Sequence, residues 1–363
     1  MLLSHTVQAR ADWSLWQSYT EHFLDPQGRI LDHDADDRTT SEGQAYALFF
    51  ALVANDRSRF DRILSWTERN LAQGSLQTHL PAWLWESKYG AWQVADRNSA
   101  SDADLWLAFT LLEAGRLWHD AALTGKGTGL ARQIADHEVE NIAELGPMLL
   151  PGASGFHTRD GFYELNPSYL PLQLLLALQH HLPGGPWGEI AGGVPKLLRG
   201  AAPGGGFVLD WIAFRPGEGF SPYPSPATES LASYDAIRVY LWAGMLNNAS
   251  RYHREVWDCT LPMSSYMDRH RVPPAEVTAS GQIKNSSGSV GFSAAVSPLL
   301  SAMGLKASLE RQQRRLDSER NARTGLFGDK PRYYDQNLAL FATGWGEKRF
   351  RFDSRGLLQV SWK

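Results

Sequence analysis

Three short segments each place a carboxylate at the mouth of an apolar run. They are Ser41-Glu42-Gly43-Gln44-Ala45-Tyr46, Ala100-Ser101-Asp102-Ala103-Asp104-Leu105-Trp106 and Ser233-Tyr234-Asp235-Ala236-Ile237-Arg238. Taken singly, each reads as helix punctuation. Thr39 and Glu42 have capping-box spacing, as do Ser41 and Gln44, and Ser99 or Ser101 could cap the second helix. An acid in a first helical turn also suits the helix dipole, worth about 0.3–1 kcal/mol. Asp235 and Arg238 are three apart, so they share a helix face; as a plain surface pair they contribute about 0–1 kcal/mol. Taken together, the segments suggest chemistry. Two carboxyls flanking a glycosidic bond can hydrolyse it, one protonating the leaving oxygen and one activating water. Arg238 would keep Asp235 ionised and fix its orientation. Asp102 and Asp104 project about 200° apart on a helix, so when one faces a cleft the other faces the scaffold.

Converging these acids needs parallel helices with their N-termini at one end. Helical periodicity predicts twelve, over 12–24, 42–54, 58–72, 103–119, 128–144, 168–181, 187–199, 233–246, 250–265, 290–302, 305–319 and 336–346. In an antiparallel array, alternate helices start at the same face. No fixed-period repeat marks a solenoid, so the expected solution is a closed double ring of helices. One β-rich, Gly- and Pro-punctuated stretch, 204–226, is expected to form a small hairpin or sheet at its rim. No segment has linker composition, so one domain over 1–363 is expected, with its ordered core at about 12–355.

Composition narrows the function classes. The chain has 363 residues, 43% of them hydrophobic, enough for a large core, and a formal net charge of -4 with no basic stripe for nucleic acid. Cys259 is the only cysteine, which excludes an intramolecular disulfide and a cysteine-built zinc site. The run Gly125-Lys126-Gly127-Thr128-Gly129 lacks phosphate-loop spacing, and His33-Asp34-Ala35-Asp36-Asp37 lacks the turn glycine and closing Glu of a calcium loop. The 11 His contain no HExxH pair. No metal and no cofactor are expected. No apolar run is long enough to span a bilayer. The start, MLLSHTVQAR, has no signal-peptide pattern, leaving a cytosolic protein or one whose leader has been removed. The chain carries 14 Trp, 12 Tyr and 15 Phe. Such rings fill cores, and they also make platforms for the C–H faces of sugars.

The segment Ala100-Ser101-Asp102-Ala103-Asp104, followed by Ala108, Leu111-Leu112, Ala114 and Trp118, resembles the signature of glycoside hydrolase family 8. Leu107 and Thr110 depart from that signature conservatively. The segments around Glu42 and Asp235 resemble the family's other two acidic stretches. Further blocks, among them Leu80-Pro81-Ala82-Trp83-Leu84-Trp85, Asn166-Pro167-Ser168-Tyr169-Leu170-Pro171 and Val290-Gly291-Phe292-Ser293-Ala294-Ala295, are closest to the members that accompany bacterial cellulose secretion. The resemblance spans about residues 12–355 and is weakest at 318–332.

It implies an all-α (α/α)6 barrel and an inverting endo-β-1,4-glucanase, periplasmic or secreted. By position, Glu42 is implied to be the general acid and Asp235 the general base, with Asp102 binding and distorting the sugar. Arg238 would position Asp235, and Tyr234, Trp85, Tyr169, Trp211, Tyr334 and Gln44 would contact substrate. The implied partner is a β-1,4-glucan chain, with cellulose synthase or secretion subunits as further candidates. Two rivals stay open: a non-catalytic glucan-binding component, and an enzyme of the same fold acting on xylan, chitosan or a polyuronate.

Overall fold

The computed structural model describes residues 13–223 and 229–363, so the end of the 204–226 insertion lies outside the described residues. Twelve α-helices run along them: α1 (Ser14–Phe23), α2 (Ser41–Val53), α3 (Arg57–Asn70), α4 (Ser101–Trp118), α5 (Ala121–His137), α6 (Leu172–His181), α7 (Trp187–Gly200), α8 (Ile237–Met245), α9 (His253–Arg269), α10 (Val290–Ala302), α11 (Lys306–Glu319) and α12 (Tyr333–Gly346).

The even-numbered helices form the inner ring. Contacts link α2 to α4, α4 to α6, α8 to α10, α10 to α12, and α12 back to α2. The turn at Pro167–Tyr169 packs on α4, α7 and α8. Each inner helix has an outer partner, and α1 closes the set by packing on α12. Sequence explains the division. The inner helices are apolar on all sides: twelve of the thirteen α2 residues are buried, and Glu42 is the exception. A helix hydrophobic all round belongs inside, whereas a striped one such as α3 lies over it. The axis is filled with rings, including Phe49, Phe50, Trp106, Trp242 and Phe341. Trp13, Trp16, Trp106 and Trp187 are buried too, so much of the tryptophan serves the core.

Close approach between helices needs glycine. A Cβ on Gly244 of α8 would collide with the backbone of Leu299 in α10. We expect Gly244→Ala to cost about 1–3 kcal/mol by overpacking, read as a lower urea midpoint with unchanged slope. The same logic corrects the expected helix at 128–144. The glycines at 125–129 lie inside α5, where a Cβ on Gly127 would meet Leu112 at 2.8 Å. The helix therefore begins at Ala121 and ends at His137.

The chain then turns into β4 (Val139–Ile142), paired with β5 (Gly146–Leu149). The first small sheet comprises β1 (Thr39–Thr40), β2 (Leu84–Lys88) and β3 (Ala91–Asp96), with Thr39 opposite Trp85. The expected insertion is a three-stranded sheet of β6 (Tyr163–Leu165), β7 (Ile212–Arg215) and β8 (Gly219–Pro222). A fourth sheet joins β9 (Leu231–Ala232), β10 (Glu276–Thr278) and β11 (Ile283–Asn285).

Packing continues past residue 355, because β12 (Phe350–Phe352) pairs with β13 (Leu358–Val360), and the Leu358 N–H donates to buried Glu113. No helix of the described residues is long and apolar enough to cross a membrane.

Candidate active site

The N-terminal ends of α2, α4 and α8 meet at one face of the ring, around Arg238. This guanidinium is 2% exposed and binds all three acids. Its Nη1 donates to Glu42 Oε2 at 2.5 Å, to Asp102 Oδ2 at 2.8 Å and to the Tyr46 hydroxyl at 3.0 Å. Its Nη2 donates to Asp235 Oδ1 at 2.7 Å and to Ser168 Oγ at 3.0 Å. The planar fork lets one cation hold carboxylates on different sides. A surface ion pair between Asp235 and Arg238 is thereby ruled out.

Local sequence sets each acid. Thr40 caps α2 by accepting the Gly43 N–H, while Thr39 instead donates to the Ile30 carbonyl. Gly43 leaves room for the Tyr333 ring, whose hydroxyl donates to Glu42 Oε1 at 3.5 Å. Neither Ser99 nor Ser101 caps α4, which opens at Ala100 without a side-chain cap. Asp102 accepts its neighbour Ala103 N–H at 2.7 Å and faces Arg238. Asp104 points the other way, into the scaffold beside Glu138. Ahead of α8, Asp210 acts as a remote cap. It accepts the Ser233 N–H at 2.8 Å, the Ala236 N–H at 2.7 Å and the Ser233 hydroxyl. That grip holds the turn carrying Asp235, so α8 begins at Ile237 rather than at 233.

Electrostatics separate the acids. Burial pushes the Glu42 carboxyl up to about 7; Arg238 opposes this, while Asp102 and Asp235 add to it. Burial also raises Asp102, against the pull of Arg238. Asp210 rises to about 6, through burial and then the charge of Asp235. Asp235 keeps 29% of its side chain exposed and accepts the Trp211 indole N–H at 3.0 Å as well as Arg238.

Aromatic rings line the approach. Trp211 stacks on Phe156 and meets Tyr169 edge-on, and the Arg238 guanidinium lies 5.4 Å over the Tyr169 ring. On another side Tyr334 donates to the Tyr234 carbonyl, and Tyr234, 46% exposed, packs on Phe292. A cleft of about 340 Å³ opens beside Asp210 and Trp211, lined also by Glu164, Tyr223 and Ser230.

Two expected substrate contacts stand differently. Gln44 is wholly buried, accepting the Ile30 N–H and donating to the Gly28 carbonyl and the Thr67 hydroxyl. Its amide ties the 28–30 turn to α2 and α3, so it has no face for a sugar. Trp85 lies on β2, edge-on to Trp66, and lines a separate cavity with Trp92, Arg69 and Arg97. Sequence reasoning missed Asp210, Ser168, Tyr46 and Tyr333. Tyr46 had a usable signal, being one helical turn after Glu42 and so on the same face. Asp210 directly precedes Trp211 but belongs to no helix, so periodicity could not flag it.

A double helical ring with three acids at its rim and aromatic walls defines a glycoside hydrolase type of site. Similarity to known proteins places the chain within that class. The sequence model of glycosyl hydrolases family 8 matches residues 1–348, and the chain belongs to that family. It is 40% identical over 364 residues to the endoglucanase of Escherichia coli O157:H7, covering 100% of this chain and 95% of that protein. The endoglucanase of Xanthomonas axonopodis pv. citri (strain 306) is 40% identical over 353 residues, covering 97% and 90%. Among solved structures, the endo-1,4-D-glucanase of Vibrio fischeri ES114 superposes with a TM-score of 0.85 at 37% identity, covering 97% of this chain and 99% of that one. The expected (α/α)6 architecture is borne out.

Proposed function

We propose that this chain is an inverting endo-β-1,4-glucanase, one catalytic domain, acting on cellulose in the periplasm or outside the cell alongside cellulose production. The single observation that carries the reading is the Arg238 hub. It gathers Glu42, Asp102 and Asp235 around one guanidinium, while burial holds the Glu42 carboxyl up to about 7. The names of the relatives supply the substrate class.

In this reading Glu42 is the general acid. It gives its proton to the glycosidic oxygen as the bond to the anomeric carbon breaks. Asp235 takes a proton from the water that attacks that carbon from the opposite face. One water is consumed, one new reducing end forms, and Asp235 ends protonated while Glu42 ends ionised; exchange with solvent resets both. Asp102 binds the sugar at the cleavage point and favours its distorted ring. Trp211 orients Asp235 through its indole N–H. Trp211, Tyr169, Tyr234 and Tyr334 offer rings to the glucan, and Trp85 a more distant one. Cellulose synthase or secretion subunits are the proposed macromolecular neighbours.

Product analysis on cellulose, xylan and chitosan oligomers tests the substrate. Internal cleavage of β-1,4-glucan is expected. Reducing-end release from xylan or chitosan but none from glucan would sink the reading. No release from any of them would favour a glucan-binding role instead. Trp211→Phe keeps a ring on Phe156 and removes one donor from Asp235. A hydrogen bond to a charged group is worth about 1.5–3 kcal/mol, so kcat should fall roughly 10–100-fold with a smaller change in KM. A rise in KM alone would make Trp211 a platform only.

A further inference from the structure

Behind Asp102 lies a second pair of acids that the proposed chemistry does not use. Asp104, on α4, and Glu138, at the end of α5, are both wholly buried and within hydrogen-bonding reach of each other. Among the described residues no cation reaches either, and no other donor reaches Asp104 Oδ1, Asp104 Oδ2 or Glu138 Oε2. Glu138 Oε1 accepts the Ser99 hydroxyl at 2.5 Å, and Ser99 Oγ in turn accepts the Ala153 N–H at 3.0 Å. The single proton of Ser99 is thus committed to Glu138 and cannot serve Asp104. Two facing, buried carboxylates with no donor between them would cost several kcal/mol, so the contact needs a proton of its own.

We propose that Asp104 and Glu138 share a proton and act as a positioning pair, locking the first turn of α4 to the end of α5 so that Asp102 stays on Arg238. The lock is continuous. Ala153 holds Ser99, Ser99 holds Glu138, Glu138 holds Asp104, and Asp104 is two residues from Asp102 on the same turn. The Ser101 N–H adds a bond to the Pro151 carbonyl at 3.0 Å, fixing the same turn from the 150–153 loop. Burial raises both acids, Glu138 to about 8, and Asp102 is the titratable group of the site whose charge bears on both. The pair therefore holds its proton across neutral pH. A folded-state carboxyl raised above its unfolded value favours folding less as pH rises, here from near 4.5 up to about 8.

The inference rests on the glucanase reading for its catalytic arm and on folding alone for its other arm. The catalytic arm compares Glu138→Ala with Glu138→Gln on a soluble β-glucan. Truncation is expected to lower kcat at least about 10-fold with KM within about threefold, and the amide, which supplies the missing donor covalently, to restore most of that loss. The folding arm compares thermal midpoints from pH 5 to 8. The parent's should fall over that span, and that of the Asp104→Asn/Glu138→Gln double variant should stay flatter. A folded Glu138→Ala with unchanged kcat would overturn the positioning role. A double variant whose midpoint falls as the parent's does would overturn the shared proton. If Glu138→Ala does not fold, failure of Glu138→Gln to keep kcat within about threefold of the parent overturns the proposal. A parent without activity on any β-glucan defeats the glucanase reading, while the midpoints still decide the shared proton.

Discussion

Glu42→Gln is expected to lower kcat on soluble β-1,4-glucan by about 10²–10⁴-fold, the usual contribution of a positioned general acid, while leaving the fold and glucan binding intact. The amide keeps the shape of the acid and its contact with Arg238 is lost only in charge. The parent enzyme supplies a matching pH signature. Glu42 must carry its proton to act, and its carboxyl sits at about 7, so the rate should fall tenfold per pH unit on the alkaline side of that value. Folding stability also declines as pH rises, over a lower range. The folded-state carboxyl is raised above its unfolded value of 4.5. The parent therefore loses folding stability as pH rises from about 4.5 to about 7, and Glu42→Gln escapes that loss. At pH 8 the variant should be no less stable than the parent. Near-parental activity in Glu42→Gln, measured by reducing-end release, would remove Glu42 from the mechanism.

Replacing Arg238 should do more damage, because one side chain serves three acids. Arg238→Met leaves Glu42, Asp102 and Asp235 crowded without a cation, in a site where Arg238 and Asp102 are almost fully buried. Breaking a buried ion pair by removing one partner typically costs about 3–5 kcal/mol. Arg238 lowers the carboxyls of Glu42 and Asp102, so without it both rise further. The folded variant then prefers protonated acids and its stability falls as pH rises. Denaturant midpoints should show a large deficit at pH 8 and a smaller one at pH 5. Activity should be lost at both. Arg238→Lys preserves the charge and recovers part of the stability. Its single ammonium cannot reproduce the separate Nη1 and Nη2 contacts, so its kcat should stay low. A deficit independent of pH would mean that Arg238 matters for packing rather than for charge.

Much of this arrangement was legible in the sequence. All twelve helices are recognisable in the sequence, the inner ones as long apolar runs and the outer ones by their stripe. The three acids stood out because each opened such a run. Asp102 and Asp104 were separable by helical geometry, and they do face opposite ways. The capping assignments were less successful. Thr39, Ser41, Ser99 and Ser101 all had suitable types, yet Thr40 alone caps α2 and no side chain caps α4. A hydroxyl's partner depends on which distant backbone passes by, as the Ile30 carbonyl does for Thr39.

Gln44 failed for the same reason: its neighbours Gly28 and Thr67 come from other elements. The short strands were mostly unread, since two to six half-exposed residues leave little alternation to detect. Asp210 was invisible because its importance lies in folding back on the Asp235 turn. The shared burial of Asp104 and Glu138 likewise joins residues 34 positions apart in sequence, and only the packing of α5 on α4 brings them together.

In the proposed mechanism Glu42 and Asp235 act from opposite faces of the sugar in a single displacement. Proton NMR of a cello-oligosaccharide digest, recorded before mutarotation, tests it most directly. With Glu42 as acid and Asp235 as base, the newly formed reducing ends should appear first as the α-anomer, with the β-anomer growing in later at the spontaneous rate. New ends appearing first as the β-anomer would mean retention through a covalent intermediate, and would contradict a general-base role for Asp235 opposite Glu42.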